Sequence, residues 1–389
     1  MTGLTPQRSP RLDVDYLIAD PATRIVLCCG SGGVGKTTTA AALALRAAEQ
    51  GRRVVVLTID PARRLAQSMG LTELDNTPRP VAGIDHSAGG ELSAMMLDMK
   101  RTFDDLVEAH AEPDRVDSIL QNPFYQSMSS SLAGTQEYMA MEKLGQLSEE
   151  AQRDGTWDLI VVDTPPSRSA LDFLDAPKRL GSFLDGRFMR ILSAPARGAG
   201  RGFGRLVGAG FGVVGGVLQK VVGTQLLLEV SMFAQALDSI FGGFRQRAER
   251  TYELLQQGGT QFLVVAAPER DALREAAYFV DRLQSDSMPL AGLILNRVTT
   301  PRVPQLSLES AVTASQTLQS GQPGPADVAT ADLLQLHAER VRSYKRQAHL
   351  AERFTSAHPS VPVVRVPALA DDVHDLDGLR EIGRLLAGV

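Results

Sequence analysis

The segment GSGGVGKT, residues Gly30–Thr37, constrains the fold of this chain more than any other feature. It directly follows an apolar run, Arg24–Cys29, and directly precedes a helix-forming run that begins at Thr38. Its glycines let consecutive backbone N–H groups turn toward phosphate oxygens, and the dipole of a helix N-terminus favours an anion. Pattern and context are those of a P-loop, so the sequence predicts a strand, a phosphate-binding loop and a helix in succession.

The loop also predicts which side chains contact a nucleotide. Lys36 should lie against the β- and γ-phosphates, and the Thr37 hydroxyl should ligate Mg²⁺. We interpret Lys36 as catalytic, because its charge would stabilise the transferred phosphoryl group. The predicted nucleotide-binding residues of this segment are Gly30, Ser31, Gly32, Gly33, Val34, Gly35, Lys36, Thr37 and Thr38.

Two aspartates follow apolar strand-like runs. Asp60 comes after Arg53–Ile59, and Asp163 closes Trp157–Asp163. Ligands of open α/β folds bind at the carboxyl edge of the sheet, where both carboxylates should lie. We therefore predict that Asp60 is catalytic and orients the attacking water, and that Asp163 holds Mg²⁺ through water.

Short β-branched runs alternate with helix-patterned segments, which predicts βαβ units. The expected fold class is α/β, a doubly wound and mostly parallel P-loop NTPase sheet with an inserted α-helical subdomain. Continuous apolar character is typical of strands buried on both faces. The candidate strands are Arg24–Cys29, Arg53–Ile59, Leu92–Asp98, Trp157–Asp163, Gln261–Ala267, Leu290–Asn296 and Val361–Val366.

Two long intervals rich in helix formers interrupt the alternation of strand-like and helical segments. These intervals define the predicted domains. The nucleotide-binding core would comprise residues 1–99, 157–175 and 261–389, and the helical subdomain residues 100–156 and 176–260. Within the core, residues 299–327 are rich in Pro, Ser, Gln and Gly, and are predicted to form a mobile loop.

Composition narrows the function classes. A formal net charge of -5 gives no overall attraction to nucleic acid. Cys28 and Cys29 are the only cysteines, and adjacent strand residues rarely bridge, so we predict reduced core thiols and no zinc site. Residues 1–20 lack a secretory pattern, which favours a cytoplasmic location, with peripheral contact with a membrane as a further expectation.

At these residues the sequence resembles the family of arsenite-pump ATPases and tail-anchored-protein targeting factors. The wider group of dimeric P-loop ATPases includes the Min and Par positioning proteins. Besides the P-loop, Asp60–Ala62 is similar to the family's switch I, and Asp163–Ser167 to its switch II. Leu295–Arg297 and Val366–Leu369 match the family's later motifs in order.

This resemblance implies roles that spacing alone does not give. Asn296 would recognise adenine, and Pro367 and Ala368 would pack on the base. The cofactors would be ATP and Mg²⁺. The chain would act as a homodimer, or as a heterodimer with a paralogous ATPase, whose nucleotide state reshapes a helical surface for an apolar client helix or a membrane-associated partner.

The sequence also departs from the family pattern. The family usually has a lysine at the second P-loop position, which contacts nucleotide across the dimer, and here that residue is Ser31. Arg63 and Arg168 replace other switch residues, and the family's zinc and arsenite cysteines are absent. Besides a Mg-ATPase, the sequence therefore allows a non-hydrolysing regulatory subunit paired with a lysine-containing paralogue. Cargo positioning on DNA or membrane is disfavoured by the acidic balance.

A glycine-rich apolar segment, Gly198–Gly243, has two interpretations. It is either a buried helix hairpin or a surface that gates an apolar client and changes exposure with nucleotide state. Each glycine within a helix costs about 1 kcal/mol relative to alanine, which favours close packing or conformational change. Hydrogen exchange with and without an ATP analogue separates these alternatives.

Overall fold

The computed structural model describes residues 9–59, 64–71, 73–111, 113–122, 125–126, 135–165, 246–320 and 322–388. Contacts divide the chain into two compact units. The first contains Met1–Met96, Gly155–Ala170 and Leu255–Val389, and the second contains Leu97–Asp154 and Leu171–Leu254. The domain boundaries expected from the sequence stay a prediction, since most of residues 176–260 lies outside the described residues.

An eight-stranded sheet forms the centre of the first unit, in the order β3-β4-β2-β5-β1-β6-β7-β8. The strands are β1 (Ile25–Cys29), β2 (Arg53–Thr58), β3 (Arg79–Pro80), β4 (Glu91–Met96), β5 (Leu159–Asp163), β6 (Thr260–Ala266), β7 (Leu290–Val298) and β8 (Val363–Pro367). All neighbouring pairs are parallel except β3 with β4. The prediction of a mostly parallel α/β sheet is confirmed.

Ten helices with defined bounds lie in the described part of the chain. They are α1 (Val14–Ala19), α2 (Lys36–Glu49), α3 (Arg64–Ser68), α4 (Met99–His110), α5 (Val116–Leu120), α6 (Thr135–Asp154), α7 (Arg270–Ser285), α8 (Leu308–Gln319), α9 (Pro325–Ala357) and α10 (Leu376–Ala387). No described helix is long and apolar enough to cross a membrane.

Helix α2 follows the P-loop and packs into the core of the first unit. Its alanines from Ala40 to Ala48 are completely buried. Small side chains let this helix approach the sheet and α10 closely, and a Cβ added to Gly383 would lie 3.6 Å from the Ala42 carbonyl oxygen. This packing fixes the position of the loop that precedes the helix.

The described part of the second unit is helical. It contains α4, α5, α6 and helical residues 246–254. Arg247 forms an ion pair with Glu142 of α6 at 2.9 Å, and the Glu142 side chain is only 4% exposed. The described residues within 100–156 are thus mainly helical.

All seven predicted strands are present, and their ends differ by no more than two residues from the predicted ends. The prediction of a loop over residues 299–327 is wrong, because α8 occupies Leu308–Gln319 and α9 begins at Pro325. Ser307 caps α8 by accepting a hydrogen bond from the Ser310 N–H at 3.0 Å. The Ser315 hydroxyl donates to the Ala331 carbonyl oxygen of α9 at 3.0 Å, so α8 is held by tertiary contact.

Candidate functional site: a phosphate loop beside a buried carboxylate

The P-loop connects β1 to α2, and two of its glycines cannot carry a side chain. Gly30 packs against β6, where an added Cβ would lie 2.1 Å from the Val265 carbonyl oxygen. Gly35 caps α2 with φ +94°, and an added Cβ would lie 2.3 Å from Asn296 Nδ2. Strands β6 and β7 therefore approach the P-loop so closely that only glycine fits at these two positions.

Thr37, the last residue of the P-loop, lies within hydrogen-bond distance of Asp163. The Thr37 hydroxyl donates to Asp163 Oδ2 at 2.7 Å, and the Thr58 hydroxyl donates to the same oxygen at 3.0 Å. Asp163 is completely buried at the end of β5 and is in register with Thr58 at the end of β2. Two hydroxyls thus fix the orientation of a buried carboxylate.

Lys36 folds back over the loop that precedes it. Its Nζ donates to the Ser31 carbonyl oxygen at 2.8 Å, and the residue is only 7% exposed. The ammonium group is therefore held against the backbone of the P-loop at Ser31. The Ser31 hydroxyl oxygen is buried and has no hydrogen-bond partner among the described residues.

Asn296 and Arg297, at the end of β7, hold the P-loop through two of its carbonyl oxygens. Asn296 Nδ2 donates to the Val34 carbonyl oxygen at 2.9 Å, and Arg297 NH1 donates to that of Gly33 at 3.0 Å. Arg297 has φ +59°, a backbone conformation that L-residues rarely adopt. The Asn296 Oδ1 accepts from the Arg297 N–H at 3.0 Å, which stabilises this geometry.

A cavity of about 730 Å³ opens over this assembly. Its lining includes Gly33, Gly35, Thr37, Thr38, Asn296, Pro367 and Ala368, all of which the sequence predicts as nucleotide contacts. A nucleotide fits a cavity of this size. The predicted catalytic residue Asp60, together with Arg63 and Arg168, lies outside the described residues.

Sequence reasoning missed several residues that line the same cavity. Arg297 follows Asn296 directly, and its positive φ has no sequence signal because it is not a glycine. Asp371, Asp372 and His374 also line the cavity and belong to the loop after β8. The cluster of two acidic residues and a histidine just after Val366–Leu369 was the available signal.

The two cysteines end β1 and are both buried and unbridged, which confirms their interpretation as core thiols. Burial raises the pKa of Cys29 to about 12, with a smaller opposing effect from Thr164. The pKa of Cys28 is also raised, chiefly by burial. Such thiols stay protonated and are poor nucleophiles and metal ligands. No cluster of three His, Cys, Asp or Glu residues suited to a metal occurs in the described part of the chain.

Comparison with known proteins identifies the family of this chain. The anion-transporting ATPase family matches residues 23–319, well over half of the 389 residues. The chain belongs to the anion-transporting ATPase family. The match begins just before β1 and runs through α8, so it includes the P-loop, Asp163 and Asn296.

Individual relatives of this family member are distant. The chain is 28% identical to ATPase GET3 of Eremothecium gossypii, over 48% of this chain and 52% of the relative. It is 31% identical to the arsenical pump-driving ATPase of Acidiphilium multivorum, over 40% and 26%. The chain thus spans about half the length of the GET3 relative and about a quarter of the length of the arsenical pump relative. An ATPase get3 of Aspergillus terreus is 24% identical over 95% of this chain and 92% of the relative.

We expect Gly35→Ala to destabilise the apo protein more than Gly33→Ala. Both positions have positive φ, +94° and +76°, which costs a non-glycine residue about 1–2 kcal/mol. Only the Gly35 Cβ would collide with the Asn296 amide, since no atom lies within 4 Å of a Cβ at Gly33. Thermal unfolding without nucleotide measures the difference, and adding Asn296→Ala to Gly35→Ala should recover part of it. Equal losses in the two glycine variants would contradict the collision.

Proposed function

We propose that this chain binds ATP with Mg²⁺ in the cavity above the P-loop and hydrolyses it. The observation that carries the proposal is the Thr37–Asp163 pair, 2.7 Å apart, at the start of the helix that the P-loop opens. A hydroxyl and a carboxylate are the hard oxygen ligands that Mg²⁺ prefers. Membership of a family of ATPases supports the same reaction.

Each residue of the site has a proposed task. The backbone N–H groups of the P-loop and the Lys36 ammonium bind the β- and γ-phosphates, and Lys36 stabilises negative charge that develops during transfer. Thr37 and Asp163 would hold Mg²⁺, Asp163 through water; the bound ion neutralises phosphate charge. Asp60, outside the described residues, would orient the attacking water.

The base would lie toward the β7 and β8 ends of the cavity. Pro367 and Ala368 line it there and offer apolar contact, and Asn296 is close by. In the side-chain amide of Asn296, Nδ2 already donates to Val34 and Oδ1 already accepts from Arg297, but the nitrogen keeps a second N–H donor and the oxygen a second acceptor site. Asn296 can therefore hold the P-loop and also form a hydrogen bond with the edge of adenine.

We further propose that hydrolysis acts as a switch in a dimer, with the helical unit as the responsive surface. The support is the division of the chain into a unit that carries the P-loop and a second unit that is helical where it is described. The client-gating segment predicted over Gly198–Gly243 lies outside the described residues. Its hydrogen-exchange test stays a prediction from the sequence.

Calorimetry with a non-hydrolysable ATP analogue, with and without Mg²⁺, tests the site. Wild type should bind more tightly with Mg²⁺, and Thr37→Val should lose that gain while keeping its Mg-independent affinity. The matched control is Thr39→Val, because Thr39 lies in the same helix turn but is 1% exposed and does not line the cavity. An unchanged Mg²⁺ effect in Thr37→Val would reject the proposed metal ligand.

Substitution of Ser31 tests the alternative function, that of a regulatory subunit paired with a lysine-containing paralogue. If a paralogue supplies the missing lysine across a dimer, the isolated chain should turn over slowly, and Ser31→Lys should raise its rate severalfold. The Ser31 hydroxyl makes no hydrogen bond within the described residues, so its replacement removes no described side-chain hydrogen bond. Phosphate release measured on both proteins decides the matter. A fully active wild type that Ser31→Lys leaves unchanged would mean that another cation performs this task.

A further inference from the structure

Arg297 is the only lysine or arginine among the described residues that line the cavity. It lies at the end of β7 and is exposed, whereas the five residues before it on the strand are buried. The two carboxylates of the lining, Asp371 and Asp372, belong to the loop after β8. A single strongly basic side chain therefore borders the space in which we propose that a nucleotide binds. Its contact with the Gly33 carbonyl oxygen uses only one of its N–H groups.

The positive charge of Arg297 is not neutralised by any described residue. Its side chain makes one described hydrogen bond, to the Gly33 carbonyl oxygen at 3.0 Å, and a carbonyl group carries no net charge. Arg46 and Arg53 of the same unit each form an ion pair with an aspartate instead. A guanidinium group has five N–H donors in a planar fork, which suits it to the paired oxygens of a phosphate. Arg297 therefore has both charge and donors to offer an anionic ligand.

The backbone at Arg297 departs from that of a regular strand. The pairing of β7 with β8 shifts its register between Leu295 and Val298, so the irregularity falls on Asn296 and Arg297. Arg297 has φ +59°, and its N–H donates to Asn296 Oδ1 at 3.0 Å. Irregularities of this kind re-aim a side chain, and non-glycine residues with positive φ concentrate at ligand sites. Here the irregular backbone carries the side chain that reaches the P-loop at Gly33.

Arg297 and Lys36 hold the same loop at carbonyl oxygens two residues apart. Lys36 donates to the Ser31 carbonyl oxygen at 2.8 Å, and Arg297 donates to that of Gly33 at 3.0 Å. Only Arg297 of these two cations lines the cavity, where it directly follows Asn296. In the proposed function the base lies near Asn296, and the β- and γ-phosphates lie near Lys36. The α-phosphate, which joins the ribose to the other phosphates, then lies between them on the side of Arg297.

From these observations we infer that the Arg297 guanidinium binds the α-phosphate of the nucleotide. One N–H group keeps its contact with the Gly33 carbonyl oxygen, and other N–H groups donate to the phosphate oxygens. The inference rests on the proposed function and adds a binding residue to its site. Because ADP and ATP share the α-phosphate, this contact contributes equally to the binding of both. Lys36, whose proposed contacts are the β- and γ-phosphates, distinguishes between them.

Calorimetry of the full chain with ADP and a non-hydrolysable ATP analogue provides the first test. Arg297→Gln removes the charge and keeps an amide donor. Its dissociation constants for both nucleotides should rise by the same factor, about tenfold, because a hydrogen bond to a charged group is lost. Arg297→Lys should recover part of the affinity, since it keeps the charge without the planar fork. The matched control is Arg302→Gln, because Arg302 is an exposed arginine near the same strand end that does not line the cavity.

Replacement of single phosphate oxygens by sulfur provides the second test, which a merely structural role of Arg297 would not affect. Sulfur accepts hydrogen bonds weakly, so at least one of the two diastereomers of ADPαS should bind wild type more weakly than ADP does. This penalty should be absent in Arg297→Gln, because the contact that senses the α-phosphate is gone. The penalty for sulfur on the β-phosphate should be the same in both proteins. The titrations omit Mg²⁺, whose preference for oxygen would add a penalty of its own.

Several outcomes would overturn the inference. Unchanged ADP affinity in Arg297→Gln, a Lys variant no better than the Gln variant, an α-sulfur penalty that persists in Arg297→Gln, or an equal loss in Arg302→Gln would each reject the contact. The wild-type titrations separate this failure from that of the proposed function. Wild type that binds ADP and the ATP analogue while the variants behave in one of these ways rejects only the Arg297 contact. Wild type that binds neither nucleotide rejects the nucleotide site and the contact together.

Discussion

Lys36→Ala should remove the stabilisation that ATP with Mg²⁺ gives to the fold, and should reduce turnover at least about 100-fold. The Lys36 ammonium is held over the P-loop by the Ser31 carbonyl oxygen at 2.8 Å and is nearly buried. A positive charge in such a site interacts strongly with phosphates because little water screens it. Calorimetry and phosphate release measure the two effects.

The matched control for this variant is Lys100→Ala. Lys100 is half-exposed and forms an ion pair with Asp104 on α4, so it lies on the surface and not in the cavity. Its loss should leave nucleotide binding unchanged. If ATP bound Lys36→Ala as tightly as wild type, the nucleotide assignment would be wrong.

Asp60→Asn should lower turnover by about 100-fold or more while ATP affinity changes little. A group that positions or deprotonates the attacking water typically contributes about 10²–10⁴ in rate, and it acts on the transition state more than on the bound ground state. The amide keeps the shape of the carboxylate but loses its charge. Single-turnover phosphate release, together with calorimetry on the same protein, separates rate from affinity.

Asp163→Asn is the informative comparison, because the two carboxylates have different proposed tasks. Asp163 is completely buried and accepts hydrogen bonds from Thr37 and Thr58. Its replacement should reduce the Mg²⁺-dependent part of ATP binding, whereas Asp60→Asn should leave that part intact. Parallel losses of affinity and rate in Asp60→Asn would show that Asp60 has a structural role instead.

Local sequence was enough to predict the strands and the P-loop. Each strand is a short run of β-branched and aliphatic residues, and in parallel sheets such runs are buried on both faces, so the signal is strong. Parallel strands joined by right-handed crossovers bring their carboxyl ends to one edge. The meeting of Thr37 with Asp163, 126 residues later, follows from that rule.

Other features had no adequate local signal. Helix α8 has the sequence LESAVTASQTLQ, whose serines and threonines are weak helix formers and favoured the prediction of a loop. Its packing against α9, with Ala311 and Ser315 buried, outweighs that weakness. Strand β3 is only two residues long and exists because it pairs with β4 at the edge of the sheet.

The sequence by itself determined the seven longer strands, the phosphate loop and the identity of its lysine and threonine, because these depend on residue periodicity and on backbone conformations that only glycine adopts easily. Tertiary structure alone decided that Asn296 and Arg297 hold the carbonyl oxygens of Val34 and Gly33, more than 260 residues earlier in the chain. It also decided that Leu333 and Leu336 of α9 lie on the surface, 67% and 51% exposed. Both depend on which surfaces meet across the fold, and contacts between distant segments leave no period or spacing in the sequence.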